Sequence, residues 1–125
     1  MAEERMAGSE RAQQTEEFSV VSTPLDGVTV LTLAGEMDMD TSALVHQALE
    51  AVEAPGARVV IDLRRVSFID SSGINVFIAG HRALAEGGGR LRLAGPAESV
   101  SRTLEIVGID TLIDIFPTLG EALDG

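Results

Sequence analysis

Six residues near the middle of the chain, Arg58-Val-Val-Ile-Asp-Leu63, constrain its fold more than any other segment. The run is of strand length, nearly continuous in apolar residues, and lacks the polar alternation of a half-exposed strand. It therefore suits a central strand covered on at least one face and compatible with cover on both. A central strand needs neighbours, and the sequence supplies them on either side. Phe18-Ser-Val-Val-Ser22 and Val28-Thr-Val-Leu-Thr-Leu33 are β-rich runs separated by Pro24-Leu-Asp-Gly27. The Asp26-Gly27 pair between such runs argues for a hairpin. Beyond the break at Gly87-Gly-Gly89, Arg90-Leu-Arg-Leu-Ala94 reads as a further strand, and Leu112-Ile-Asp-Ile-Phe116 as an edge strand.

Helical patterns separate these strands. Asp40 or Thr41 is placed to cap a helix reaching about Glu53, with Leu44, Ala48, Leu49 and Val52 recurring at helical spacing before Pro55-Gly56 ends it. A second helix runs from about Gly73 to Glu86, with Ile74, Phe77, Ile78, Leu84 and Ala85 on its apolar side. Pro96 suits the first turn of a third, which ends near Gly108 and buries Val100, Leu104 and Val107. Thr118-Leu-Gly-Glu121 has the form of a capping box opening a last short helix with Leu119, Ala122 and Leu123. The expected fold class is α/β: a mixed sheet with an N-terminal hairpin, then alternating helices and strands, packed against about four α-helices. Residues 18–125 form one domain. Residues 1–17, polar and without apolar periodicity, are expected to be a disordered tail, and deleting Met1 to Gln14 is expected to leave thermal stability and kinase binding nearly unchanged.

Composition removes several functional classes. Hydrophobic residues make up 45% of the chain and aromatic ones 3%, so a core must be assembled from Val, Ile, Leu and Ala. No cysteine is present, which excludes disulfides, thiolate nucleophiles and thiolate metal sites. All nine basic residues are arginine, so mechanisms built on a lysine base or a phosphate-cradling lysine are excluded too. The net charge of −11 argues against nucleic acid and anionic membranes as partners, and favours a protein with a basic docking face. With neither an apolar signal region nor a run approaching the ~18–20 apolar residues of a membrane span, the expected location is the cytoplasm.

The chemistry concentrates between Val66 and Ile74, where a strand gives way to two serines that open a helix. The first backbone N–H groups of a helix have no intrahelical partners, and the helix dipole is positive there. A phosphate on Ser71 could accept hydrogen bonds from these groups, and Gly73 would allow a bulky phosphoryl donor to approach. Taken alone, Asp70-Ser71-Ser72-Gly73 is more often an ordinary helix cap, worth roughly 0.5–2 kcal/mol, than a phosphorylation site.

Three separated landmarks give the segment a second meaning. Phe68-Ile-Asp-Ser-Ser-Gly-Ile74 resembles the signature of STAS domains in anti-sigma-factor antagonists. Leu33-Ala-Gly-Glu-Met-Asp38 resembles the family's upstream landmark, and Gly88-Gly89 through Gly95-Pro96 a third. The resemblance covers about Phe18 to Leu123 and implies partner switching. An unmodified antagonist binds an anti-sigma factor that is also a serine kinase, thereby releasing a sigma factor. The kinase, with ATP and Mg²⁺, phosphorylates the antagonist and ends the complex, and a phosphatase restores it. By this resemblance Ser71 is the phosphoacceptor, and Asp38, Asp70, Ser72 and Gly73 support its phosphorylation. The partner-binding surface would comprise Met37, Asp38, Met39, Asp40, Ser71, Ser72, Gly73 and Asn75. Met37 and Met39 serve equally well as core filling. Asn75 stands where many relatives carry a second glycine. The domain would be a substrate and binder, not an enzyme. It would hold no metal and no cofactor, as a monomer or weak dimer.

Rival readings fit less well. A receiver domain would use an aspartate acceptor and Mg²⁺, drawing on Asp38, Asp40, Asp62 and Asp70, but needs a late lysine that the chain lacks. A serine hydrolase needs glycine two residues before its nucleophile, where Ser71 has Ile69, and its base would be His46 or His81 within helices. Within the resembling family, the competitor is a regulatory or scaffold module whose serine is never phosphorylated.

Overall fold

The computed structural model describes residues 11–14 and 18–124. Its elements, in chain order, are strands β1 (Arg11–Gln14), β2 (Ser19–Leu25) and β3 (Val28–Met37), helix α1 (Met39–Val52), strand β4 (Arg58–Ile69), helix α2 (Ser71–Glu86), strand β5 (Arg90–Ala94), helix α3 (Glu98–Ile106), strand β6 (Asp114–Phe116) and helix α4 (Leu119–Leu123). The strands form one six-stranded sheet in sequential order. The first three pair antiparallel, and β3 through β6 pair parallel. The expected mixed α/β fold with four helices is what the chain adopts.

Strand β4 lies inside the sheet and feeds both faces. Val59, Ile61, Leu63, Val66 and Ile69 join the main core with Val45 and Leu49 of α1, Phe77 and Leu84 of α2, and Val100 and Leu104 of α3. On the opposite face Val60 packs with Val28, Ala94 and Ala122 beneath the short α4. Two-sided burial accounts for the continuous apolar run.

Several boundaries differ from the sequence expectations. Residues 11–14 lie in a strand, not a disordered tail, because β2 offers a free edge and β1 pairs along it from Arg11↔Ser22 to Gln14↔Ser19. The remainder of residues 1–17 lies outside the described residues. Helix α1 begins earlier than expected, with Asp38 rather than Asp40 or Thr41 as its cap. Pro96 precedes α3, whose cap position is Ala97 without a side-chain hydrogen bond. Val107 is 53% exposed rather than buried, since α3 has ended and the chain turns through Gly108 at φ 81°. Ala85 is exposed on α2, and Leu112 is exposed ahead of β6, which is shorter than the apolar run suggested.

Candidate functional site at two helix starts

The parallel strands β3 and β4 end side by side. Met37 stands opposite Ile69, and the Asp70 N–H donates to the Met37 carbonyl at 3.1 Å. Neighbouring strands lie about 4.8 Å apart, so the residues that follow the two strands, Asp38 and Asp70, are lateral neighbours. Each turns its strand into a helix by the same means. Asp38 Oδ1 accepts from the backbone N–H groups of Asp40 and Thr41, both at 3.0 Å. Asp70 Oδ1 accepts from those of Ser72 at 2.8 Å and Gly73 at 3.4 Å. Aspartate is favoured at such positions because it satisfies orphan amides and its charge lies at the positive end of the helix dipole. The bond from the Thr41 N–H, with those from the Thr41 hydroxyl and the Asp40 and Asp38 amides, outweighs partial desolvation and lowers the Asp38 carboxyl below its ordinary value.

Ser71 is the first residue of α2 and is exposed. Among the described residues its hydroxyl makes no hydrogen bond. Ser72, inside the first turn, is not the cap, since Asp70 holds that place. Gly73 is buried, and a Cβ there would lie 2.8 Å from Ile69 Cγ1 and 3.2 Å from Met37 Cβ. Its lack of a side chain therefore lets the first turn of α2 sit on the two strand ends, not a phosphoryl donor approach from outside.

The remaining residues expected at this surface divide by burial. Met37 is 0% exposed and belongs to the core, because strand alternation turns it beneath α2; it is not available as a partner contact. Met39, by contrast, is 77% exposed, and Asp40 and Asn75 are exposed as well. Phe68, beside Glu36 in register, is 47% exposed and was not anticipated. Read as a strand, it lies one residue from buried Ile69, and that offset was the available signal.

The residues invoked by the rival readings do not assemble. Asp62 is buried and ion-paired with Arg64 at 2.7 Å, away from Asp38 and Asp70 at the strand ends. Among the described residues no three His, Asp or Glu side chains gather to hold a cation. His46 pairs with Glu50 on α1 at 3.1 Å. His81 lies ten positions along α2 from Ser71, about 15 Å by helical rise. No described helix is long and apolar enough to cross a membrane.

Residues 19–122 match the model of the STAS domain family. The chain is 36% identical over 90 residues to an anti-sigma-B factor antagonist of Listeria monocytogenes, covering 71% of this chain and 79% of the relative. It is 32% identical over 83 residues to the anti-sigma-B factor antagonist of Bacillus subtilis, covering 66% and 76%. In three dimensions it resembles an anti-sigma factor antagonist from Mycobacterium paratuberculosis, with a TM-score of 0.76, 30% identity, and coverage of 85% of this chain and 91% of that one.

Proposed function

We propose that this chain, which belongs to the STAS-domain family of anti-sigma-factor antagonists, is a partner switch that works by reversible phosphorylation of Ser71. Unmodified, it binds an anti-sigma factor in the cytoplasm and so frees a sigma factor. The observation that carries the reading is the exposed Ser71 side chain, at the first position of a helix already capped by Asp70. The cap is supplied by another residue, so the serine hydroxyl is not needed for folding and is open to chemistry.

In the forward step the Ser71 oxygen attacks the γ-phosphorus of ATP held by the anti-sigma kinase. A new O–P bond forms, the bond to ADP breaks, and the hydroxyl proton leaves to a base of the kinase. A phosphatase reverses the modification by hydrolysis. The phosphate adds about −1.5 to −2 charges at the start of α2. There the helix dipole favours it by roughly 0.3–1 kcal/mol, so the fold tolerates the modification. A docked partner does not. A partner carboxylate about 7 Å away would be repelled by ~2 kcal/mol at an effective dielectric near 40, equivalent to roughly thirtyfold in affinity. Met39, Phe68, Asp40 and Asn75, exposed around the serine, are the residues we assign to docking.

Incubation with candidate anti-sigma kinases and ATP, followed by mass-spectrometric mapping, tests the assignment. Label is expected on Ser71 and absent from Ser71→Ala. Equal labelling of Ser71→Ala and the parent would overturn it. In calorimetry, phosphorylated protein is expected to bind the anti-sigma factor about thirtyfold more weakly, and Ser71→Asp, with a single charge, about sevenfold, both keeping the parent's circular-dichroism spectrum. Parent-like affinity would leave a constitutive binding module as the better account.

A further inference from the structure

We propose that Asp62 and Arg64 are positioning residues for the acceptor serine, acting by fixing the register in which β4 runs beside β3. The inference rests on the reading of Ser71 as acceptor. It begins with the pairing of the two strands. Thr32 stands opposite Asp62, yet Ala34 stands opposite Arg65, so Leu63 and Arg64 share a single partner, Leu33. A second extra residue, Ser67, falls between the pairs Gly35↔Val66 and Glu36↔Phe68. Had the register of Thr32↔Asp62 continued unbroken, Met37 would stand opposite Ser67 and Asp38 opposite Phe68. Two bulges are therefore what bring Met37 beside Ile69 and, one residue later, the cap of α1 beside the cap of α2.

A bulge leaves a residue off the ladder and in need of another hydrogen-bond partner. At the first bulge Asp62 supplies it. Its Oδ1 accepts from the Arg64 backbone N–H at 3.1 Å and from Arg64 Nε at 3.0 Å, while Oδ2 accepts from Nε at 3.2 Å and Nη2 at 2.7 Å. One carboxylate thus holds both the main chain and the side chain of the bulged residue. The Arg64 stem in turn lies over Gly95, where a Cβ would meet Arg64 Cγ at 2.6 Å. The clamp so spans the β4 bulge and the turn that follows β5.

Stability alone is a poor reason for such a pair. Asp62 is 1% exposed and is the one charged side chain buried among the described residues. Its partner Arg64 has 60% of its side chain in solvent, and an ion pair open to water on one side adds little stability, whereas fixing a register is a role for which polar groups are suited. Burial pushes the Asp62 carboxyl up, but the Arg64 hydrogen bonds and the charges of Arg64 and Arg65 prevail and hold it below its ordinary value.

The test compares the parent with Asp62→Ala, Asp62→Asn and Ile113→Ala, the last removing a buried side chain near β6 without touching the bulge. All are assayed at a temperature where circular dichroism shows them folded. Asp62→Ala is expected to shift the amide resonances of Asp38, Asp70, Ser72 and Gly73, remote as they are from the substitution. It should also lower kcat/KM for phosphorylation by a kinase that labels the parent by about ten- to a hundredfold, as a displaced acceptor would. Asp62→Asn, which keeps an acceptor for the Arg64 amide, is expected to fall between Asp62→Ala and the parent. Ile113→Ala should lose stability and change neither readout. Unmoved cap amides or a parent-like rate in folded Asp62→Ala would overturn the proposal. Should Asp62→Ala not fold, Asp62→Asn and Arg64→Met carry the same comparison. If the parent itself takes no label, the acceptor assignment fails, and the amide shifts alone decide whether the clamp sets the register.

Discussion

At the start of α1 the cap Asp38 is followed by Met39, Asp40 and Thr41; at the start of α2 the cap Asp70 is followed by Ser71, Ser72 and Gly73. Both aspartates do the same structural work. The difference lies in the hydroxyls. Thr41 Oγ1 accepts from the Asp38 N–H at 2.9 Å and reaches the Glu36 carbonyl at 2.6 Å, so the first helix start is a closed capping box. The second has glycine in place of that threonine and carries its free hydroxyl at Ser71, facing solvent. A cap built entirely from its own side chains has no group left for chemistry. One that delegates capping to the aspartate leaves the serine available.

The largest expected effect comes from moving the hydroxyls. Ser71→Ala should abolish phosphate incorporation, whereas Ser72→Ala and Thr41→Ala should retain it, as read by mass spectrometry. Labelling at Thr41 or Ser72 in the Ser71→Ala variant would break the contrast. Next is Gly73→Thr, which gives α2 the side chain of α1 at the matching position. The new Cβ would crowd Ile69 and Met37, and a loss of roughly 1–3 kcal/mol is expected in denaturant titration. A neutral or stabilising outcome would show that the strand ends yield.

Cap removal sharpens the comparison further. Asp70→Ala should cost roughly 0.5–2 kcal/mol. Asp38→Ala should lower the melting temperature by more than Asp70→Ala, because it also strips the partner of the Thr41 box. Acid provides a milder probe of the same groups. Asp38 and Asp62 are held below the ordinary value of 3.8, so their stabilising contribution is complete above that value and is lost as the pH falls through it and below. Asp38→Asn should therefore flatten the acid limb of a melting-temperature profile, and an unchanged limb would contradict the assignment. The smallest effect is expected from deleting residues 1–14. This removes β1 from the sheet edge and should cost about 1 kcal/mol or less.

The chain's own residues specified much of this in advance. The strand and helix patterns, the hairpin at Asp26-Gly27, the unbroken apolar run of β4 and the strand–Asp–Ser–helix junction are all local. Their physics acts within a few residues: alternation, helical periodicity and a side chain capping amides two or three positions on. Other features became visible only when distant segments met. Met37 is core and Met39 surface because α2 covers one of them. Gly73 is needed because two strand ends lie beneath it. Arg11–Gln14 is a strand because β2 has a free edge, a condition that no tail sequence can display. The same holds for the alignment of Asp38 with Asp70. It depends on two extra residues in β4 relative to β3, and a register is a relation between two segments that neither one contains alone.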